Sequence, residues 1–139
     1  WNSQVKGAVF GLTFAATKAH VVRAALESIA YQVKDLADVM AQATGGALTE
    51  ICADGGPTRN AFLMQFQADM LRTPIVCTEV EDASALGAVV MNGFARQLWI
   101  SFDKVASLRK VTRTVLPHHT TEHDRLYGEW RKAVGQLCK

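Results

Sequence analysis

The run Ala53-Asp54-Gly55-Gly56-Pro57-Thr58-Arg59-Asn60, continued by Ala61-Phe62-Leu63-Met64-Gln65-Phe66-Gln67-Ala68-Asp69-Met70-Leu71, limits more than any other stretch what this chain can fold into. Residues 48–53 ahead of it are short, apolar and partly β-favouring, so the order is strand, glycine pair, helix. Two successive glycines where a strand ends let the backbone turn sharply and let a flat or phosphorylated ligand approach the main chain. The helix behind them points its unpaired amides and the positive end of its dipole at the same place. Pro57 suits the first helical turn, where its missing N–H would have had no partner. Asn60, one turn on, carries an amide that both donates and accepts, which is what reading a purine edge requires. A strand-to-helix turn with no ligand has the same spacing, so the motif alone leaves both readings open.

The surroundings set this turn in an α/β pattern. Residues 7–12, Gly7-Ala8-Val9-Phe10-Gly11-Leu12, are β-leaning and bracketed by glycines, and predict a strand. From His20 to about Met40 the positions Val22, Leu26, Ile29, Val33, Leu36 and Met40 recur at steps of four and three, a helix burying one face. Arg23 with Glu27 and Lys34 with Asp38 are expected on its solvated surface, Ala24, Ala25 and Ala30 should let a sheet come close, and Gly45-Gly46 ends the element. After the central turn, Phe62, Leu63, Phe66 and Met70 form the stripe of a second helix bounded by Pro74. A short strand at Pro74-Ile75-Val76-Cys77 leads through the acidic run Glu79-Val80-Glu81-Asp82 into a third helix. Its small residues Ala83, Ala85, Gly87 and Ala88 predict tight packing on the sheet, since mid-helix glycine gives up to about 1 kcal/mol of propensity. A short helix over residues 103–108, an extended run over 111–115 closed by Pro117, and a last helix capped by Thr120 or Thr121 complete the pattern. That last helix should bury Leu126, Tyr127, Trp130, Val134 and Leu137. Ligands of such sheets gather at the carboxyl ends of the strands, where Asp54-Gly55-Gly56 falls.

Composition narrows the function. A net charge of +2 with no basic stripe interleaved with aromatics argues against nucleic acid. No apolar run reaches the roughly 18 residues needed to cross a bilayer, and no signal-peptide pattern opens the chain, so no membrane partner is expected. Cys52, Cys77 and Cys138 are odd in number and far apart, which suits free thiols in a reducing compartment and a cytoplasmic location. His118, His119 and His123 do not share one helical face and have no cysteine near them, so a metal site is not expected. The chain opens on Trp1-Asn2-Ser3 without a methionine, and a domain excised from something longer is the expectation.

The motifs also carry a resemblance. Gly7-Ala8-Val9-Phe10-Gly11-Leu12, seven residues, then His20-Val21-Val22-Arg23-Ala24-Ala25-Leu26-Glu27 resembles the second signature of the FGGY carbohydrate kinases. Asp54-Gly55-Gly56-Pro57-Thr58-Arg59-Asn60 with Phe62-Leu63-Met64-Gln65-Phe66-Gln67-Ala68-Asp69 resembles that family's adenosine motif, and Ala85-Leu86-Gly87-Ala88, Tyr127 and Trp130 follow in the family's order. The resemblance implies an α/β fold that is part of an actin-like ATPase (ribonuclease H-like) domain, a mostly parallel sheet covered by helices. Residues 1–139 would be a partial carboxyl-terminal, nucleotide-binding domain, with the amino-terminal sugar-binding domain absent.

By the same resemblance Gly55 and Gly56 would pass along the adenosine and α-phosphate, the Gly56 amide donating, and Asn60 would bond the adenine. Asp54 would shape the turn without necessarily touching the ligand, and residues 85–88 would bring the third helix close to the nucleotide side. The implied function is the ATP-binding portion of a kinase moving the γ-phosphoryl of ATP, with Mg2+, to a sugar or polyol hydroxyl. The catalytic base and phosphate loops would lie upstream, so no catalytic residue or metal ligand is assigned within the chain, and alone it would be inactive. Apolar surface and sheet edge left uncovered would favour a homodimer. The alternative is a non-catalytic actin-like nucleotide-binding or assembly module.

Overall fold

Helix α2 (Ala61–Leu71) is buried almost all round, through Leu63, Met64, Phe66, Gln67, Ala68, Asp69 and Met70, and such a helix must be covered on every side. The computed structural model describes residues 5–80, 82–98, 101–106, 110–118 and 121–138, and shows what covers it. On one side lies a sheet of β1 (Ile51–Ala53), β2 (Ile75–Thr78) and β3 (Val111–Val115), in that spatial order. Leu63, Met64 and Ala68 pack there with Ile75 and Cys77, flanked by Ile51, Ala53 and Val115. On the other side Phe66 and Met70 meet Ala30 and Tyr31 of α1 (Lys18–Thr44) and Leu126, Tyr127 and Trp130 of α5 (Glu122–Leu137).

The α/β pattern expected from sequence is present. β1 and β2 are parallel, Ile51 opposite Ile75, with the turn and α2 forming their crossover. The third strand comes from the far end of the chain: β3 runs antiparallel to β2, Ile75 opposite Val115. Residues 7–12, expected to be a strand, belong to none. A strand exists only beside a partner edge, none of the three described strands pairs with this segment, and Val9, Phe10 and Leu12 stay exposed.

Helix α1 begins at Lys18, where the Thr17 N–H donates to His20 Nδ1 at 3.0 Å, and ends at Gly45, left-handed at φ 70°. Its buried side differs from the expected stripe. Val22, Ile29, Leu36 and Met40 are exposed, and Ala30, Tyr31 and Ala37 are buried, because the small residues admit α2 rather than a sheet. Of its charges, Arg23 and Asp38 keep solvated side chains as expected, and Glu27 and Lys34 are half-buried. Glu27 takes the Arg23 guanidinium at 2.7 Å and the Tyr31 hydroxyl at 3.2 Å, and Arg23 also lies 5.1 Å over the Phe62 ring of α2.

The third helix, α3 (Ala83–Ala95), starts where Asp82 accepts from the Ala85 N–H at 2.9 Å. The tight packing expected of its small residues is absent: a Cβ on Gly87 would meet nothing within 4 Å, and Leu86, Val89 and Met91 are exposed. The short helix α4 is Phe102–Ala106, and its Phe102 ring meets Phe94 of α3 at 4.4 Å. Thr121 stands before α5 but makes no side-chain cap. Glu81 of the acidic run, Leu108 at the end of the expected short helix, His119 and Thr120 lie outside the described residues.

Both tyrosines of the chain, Tyr31 and Tyr127, sit where α1, α2 and α5 meet, Tyr127 donating to Asp35. Burial, then the Asp35 hydrogen bond and charge, pushes the Tyr127 phenol up to about 12; burial and then Glu27 raise Tyr31 as well. An unfolded tyrosine ionises near 10, so above that pH the unfolded chain releases protons that the folded one keeps, and stability falls as pH rises. The stabilisation is therefore whole below about pH 10 and is lost as pH climbs through about 12. Tyrosinate absorbance should show no titration near pH 10 while the protein is folded, and a normal titration for either tyrosine would contradict this packing.

Candidate functional site

The glycine pair turns the chain from β1 into α2, and each glycine does so differently. Gly55 has φ 78° and ψ −176°, a conformation essentially restricted to glycine, and its N–H donates to the Val80 carbonyl beyond β2 at 3.1 Å. Its carbonyl accepts from the Thr58 N–H at 3.2 Å and the Thr58 hydroxyl at 2.7 Å, closing a single 3-10 turn over Gly56–Arg59 with Pro57 near its start. Gly56 has no such backbone demand. A Cβ there would meet nothing within 4 Å, the residue is exposed, and its N–H makes no hydrogen bond to the described residues.

Asn60 caps α2: its Oδ1 accepts the Leu63 N–H at 3.0 Å. That engages the acceptor half of its amide and leaves the NH2, which makes no hydrogen bond to the described residues. Oδ1 keeps a second lone pair, so Asn60 caps the helix and its amide can still both donate and accept.

Two hollows flank the turn. One of about 340 Å³ is lined by Gly55, Thr58, Arg59, Glu79 and Arg113 among others. The second, about 390 Å³ and largely apolar, lies under α3 and is lined by Cys52, Asp54, Val80, Leu86 and Val90 among others. Asp54 and Gly55 are thereby brought together at the carboxyl ends of β1 and β2; Gly56 and Asn60 stand on the turn itself and line neither hollow. Sequence reasoning missed Arg113, whose Nη2 donates to the Thr58 carbonyl at 2.6 Å from 55 positions away. In sequence it is one polar residue of an alternating run, without local signal.

The histidines serve another group. Asp69, buried on α2, accepts from Gln65 Nε2 at 2.8 Å and from the His118 backbone N–H at 2.6 Å, with His118 Nδ1 at 3.9 Å and His123 Nε2 at 4.0 Å. The cluster ties the chain after β3 to α2, and the described residues contain no group of three or more candidate metal ligands. Cys52, Cys77 and Cys138 are free thiols, and no described helix is long and apolar enough to cross a membrane.

Residues 1–96 match the model of the FGGY family of carbohydrate kinases, C-terminal domain. The chain is 43% identical over 135 residues to glycerol kinase of Bacillus velezensis and 44% identical to that of Thermus thermophilus, alignments that cover 96% of this chain and 27% of each relative. Among solved structures, Plasmodium falciparum glycerol kinase with ADP superposes with a TM-score of 0.81 at 32% identity, over 99% of this chain and 28% of that one. Xylulose kinase from Rhodospirillum rubrum does so at 0.74 and 26%, over 91% of this chain and 26% of its own. The chain spans about a quarter of the length of these relatives.

Proposed function

Because the chain belongs to the FGGY family of carbohydrate kinases, with part of the actin-like ATPase fold, we propose that it is the nucleotide-binding portion of a kinase that phosphorylates a polyol or sugar with ATP. The names of the curated relatives favour glycerol as the acceptor. The chain would be a partial carboxyl-terminal domain whose sugar-binding domain and catalytic base lie outside it. Phosphoryl transfer depends on holding donor and acceptor in line, with charge stabilisation around the moving group, so this portion alone binds nucleotide and does not turn over.

One observation carries the reading: Gly55 is required by its own backbone and Gly56 is not. A second glycine beside open space, with an N–H that makes no hydrogen bond to the described residues, suits a ligand that passes close to the main chain. In this reading the adenosine and α-phosphate pass Gly55 and Gly56, the Gly56 N–H donates to the nucleotide, the Asn60 NH2 donates to the adenine, and Asp54 holds the start of the turn. Mg2+ would arrive with the ATP phosphates, since no described cluster here offers it ligands.

Gly56→Leu in the intact protein tests this. A Cβ there meets nothing within 4 Å and the residue is exposed, so the melting temperature should be unchanged, and ATP affinity measured by calorimetry should fall by at least about tenfold. Unaltered ATP affinity in a folded variant would remove the glycine pair from the nucleotide site. A panel of glycerol, other polyols and ketoses then identifies the acceptor.

A further inference from the structure

Arg113 belongs to the strand that lies at the opposite edge of the sheet from β1, yet its guanidinium ends on the glycine turn. Cys77 pairs with Arg113, but Thr78 pairs with Val111, so Thr112 is one residue extra in β3. A bulge bends its strand and re-aims the neighbouring side chain. Thr112 secures it by donating its hydroxyl to the Cys77 carbonyl at 3.1 Å.

What Arg113 reaches is the middle of a turn whose ends are held by the Gly55 N–H on the Val80 carbonyl and by the Asn60 cap of α2. The 3-10 turn over Gly56–Arg59 is four residues long and buries none of them, so hydrogen bonds rather than packing set its position. Thr58 closes it onto Gly55 from within, and Gly55 is the permissive hinge on which the turn would swing. From β3, Arg113 Nη2 donates to the Thr58 carbonyl at 2.6 Å, a charged donor of the stronger kind.

We infer that Arg113 is a positioning residue for nucleotide binding, pinning the Thr58 carbonyl of the turn so that the Gly56 N–H is presented in a fixed place. The inference rests on the nucleotide reading of the glycine pair. It assigns Arg113 no contact with the reacting atoms.

The experiment uses the intact protein and compares Arg113→Ala, Arg113→Lys and Gly56→Leu. Arg113→Ala should raise the KM for ATP about tenfold while the KM for the acceptor and the melting temperature stay at parental values. Arg113→Lys, which keeps a charged donor without the rigid fork, should recover part of the loss. An unchanged KM for ATP in Arg113→Ala, with Gly56→Leu still impaired, overturns the inference and leaves the glycine-pair reading standing. Both KM values and the melting temperature shifting together also overturns it, since that is what loss of general stability would do. If Gly56→Leu is unimpaired as well, the nucleotide reading fails and takes this inference with it.

Discussion

Truncating Phe66 to alanine should destabilise the protein by about 3–5 kcal/mol, read as a lower urea midpoint at an unchanged slope. Phe66 is 5% exposed and joins three helices: its ring lies 5.7 Å from Tyr31 of α1, edge to face, and 5.1 Å from His123 of α5, while its backbone belongs to α2. Removing it empties the space between them, and rigid helices close such a gap only in part. The loss is a large share of the about 5–15 kcal/mol that keeps a typical domain folded. Phe62, one turn earlier and stacked on Phe66 at 5.7 Å, is 37% exposed and serves as the control. Phe62→Ala should cost clearly less. Equal losses at the two positions would mean that the three-helix junction is not where the stability lies.

The second large effect is backbone strain at Gly55. Alanine there must adopt φ 78° with ψ −176°, a region costing about 1–3 kcal/mol for a residue with a Cβ. The chain relieves that strain by rotating the turn, which breaks the Gly55 to Val80 bond and moves Thr58 away from Arg113. Thermal unfolding should therefore separate the two glycines: Gly55→Ala loses stability and Gly56→Ala does not, although their sequence surroundings are nearly the same. A neutral Gly55→Ala would show that the turn does not depend on the left-handed conformation.

These contrasts mark what the sequence can carry. The glycine turn, α2, the Gly45 stop of α1 and the Asp82 start of α3 were all legible because each is decided within a few residues, by a φ angle or a cap. The strand expected over residues 7–12 failed for the opposite reason: pairing needs a second edge, and β-propensity reports only one party. On α1 the periodicity of Val22, Leu26, Ile29, Val33, Leu36 and Met40 located an apolar stripe of which Leu26 packs on the core and Val33 is half-buried, but the neighbour that arrived was α2, which settled on Ala30 and Tyr31 and left the other four exposed. At the candidate site, the backbone at Gly55 and the cap at Asn60 are set by local chemistry. Arg113 could not be read, because its role comes from a bulge and a strand pairing that only the folded chain creates.

The apolar hollow under α3 sets how the site yields to load. Asp54 forms part of its lining, so it borders the same turn that α2 supports from the other side. α2 is buried almost all round, whereas α3 rests on few described neighbours and keeps Leu86, Val89 and Met91 in solvent. Local rigidity follows contact density. The turn therefore stands between a stiff side and a compliant one, and any displacement of it meets the least elastic resistance toward α3.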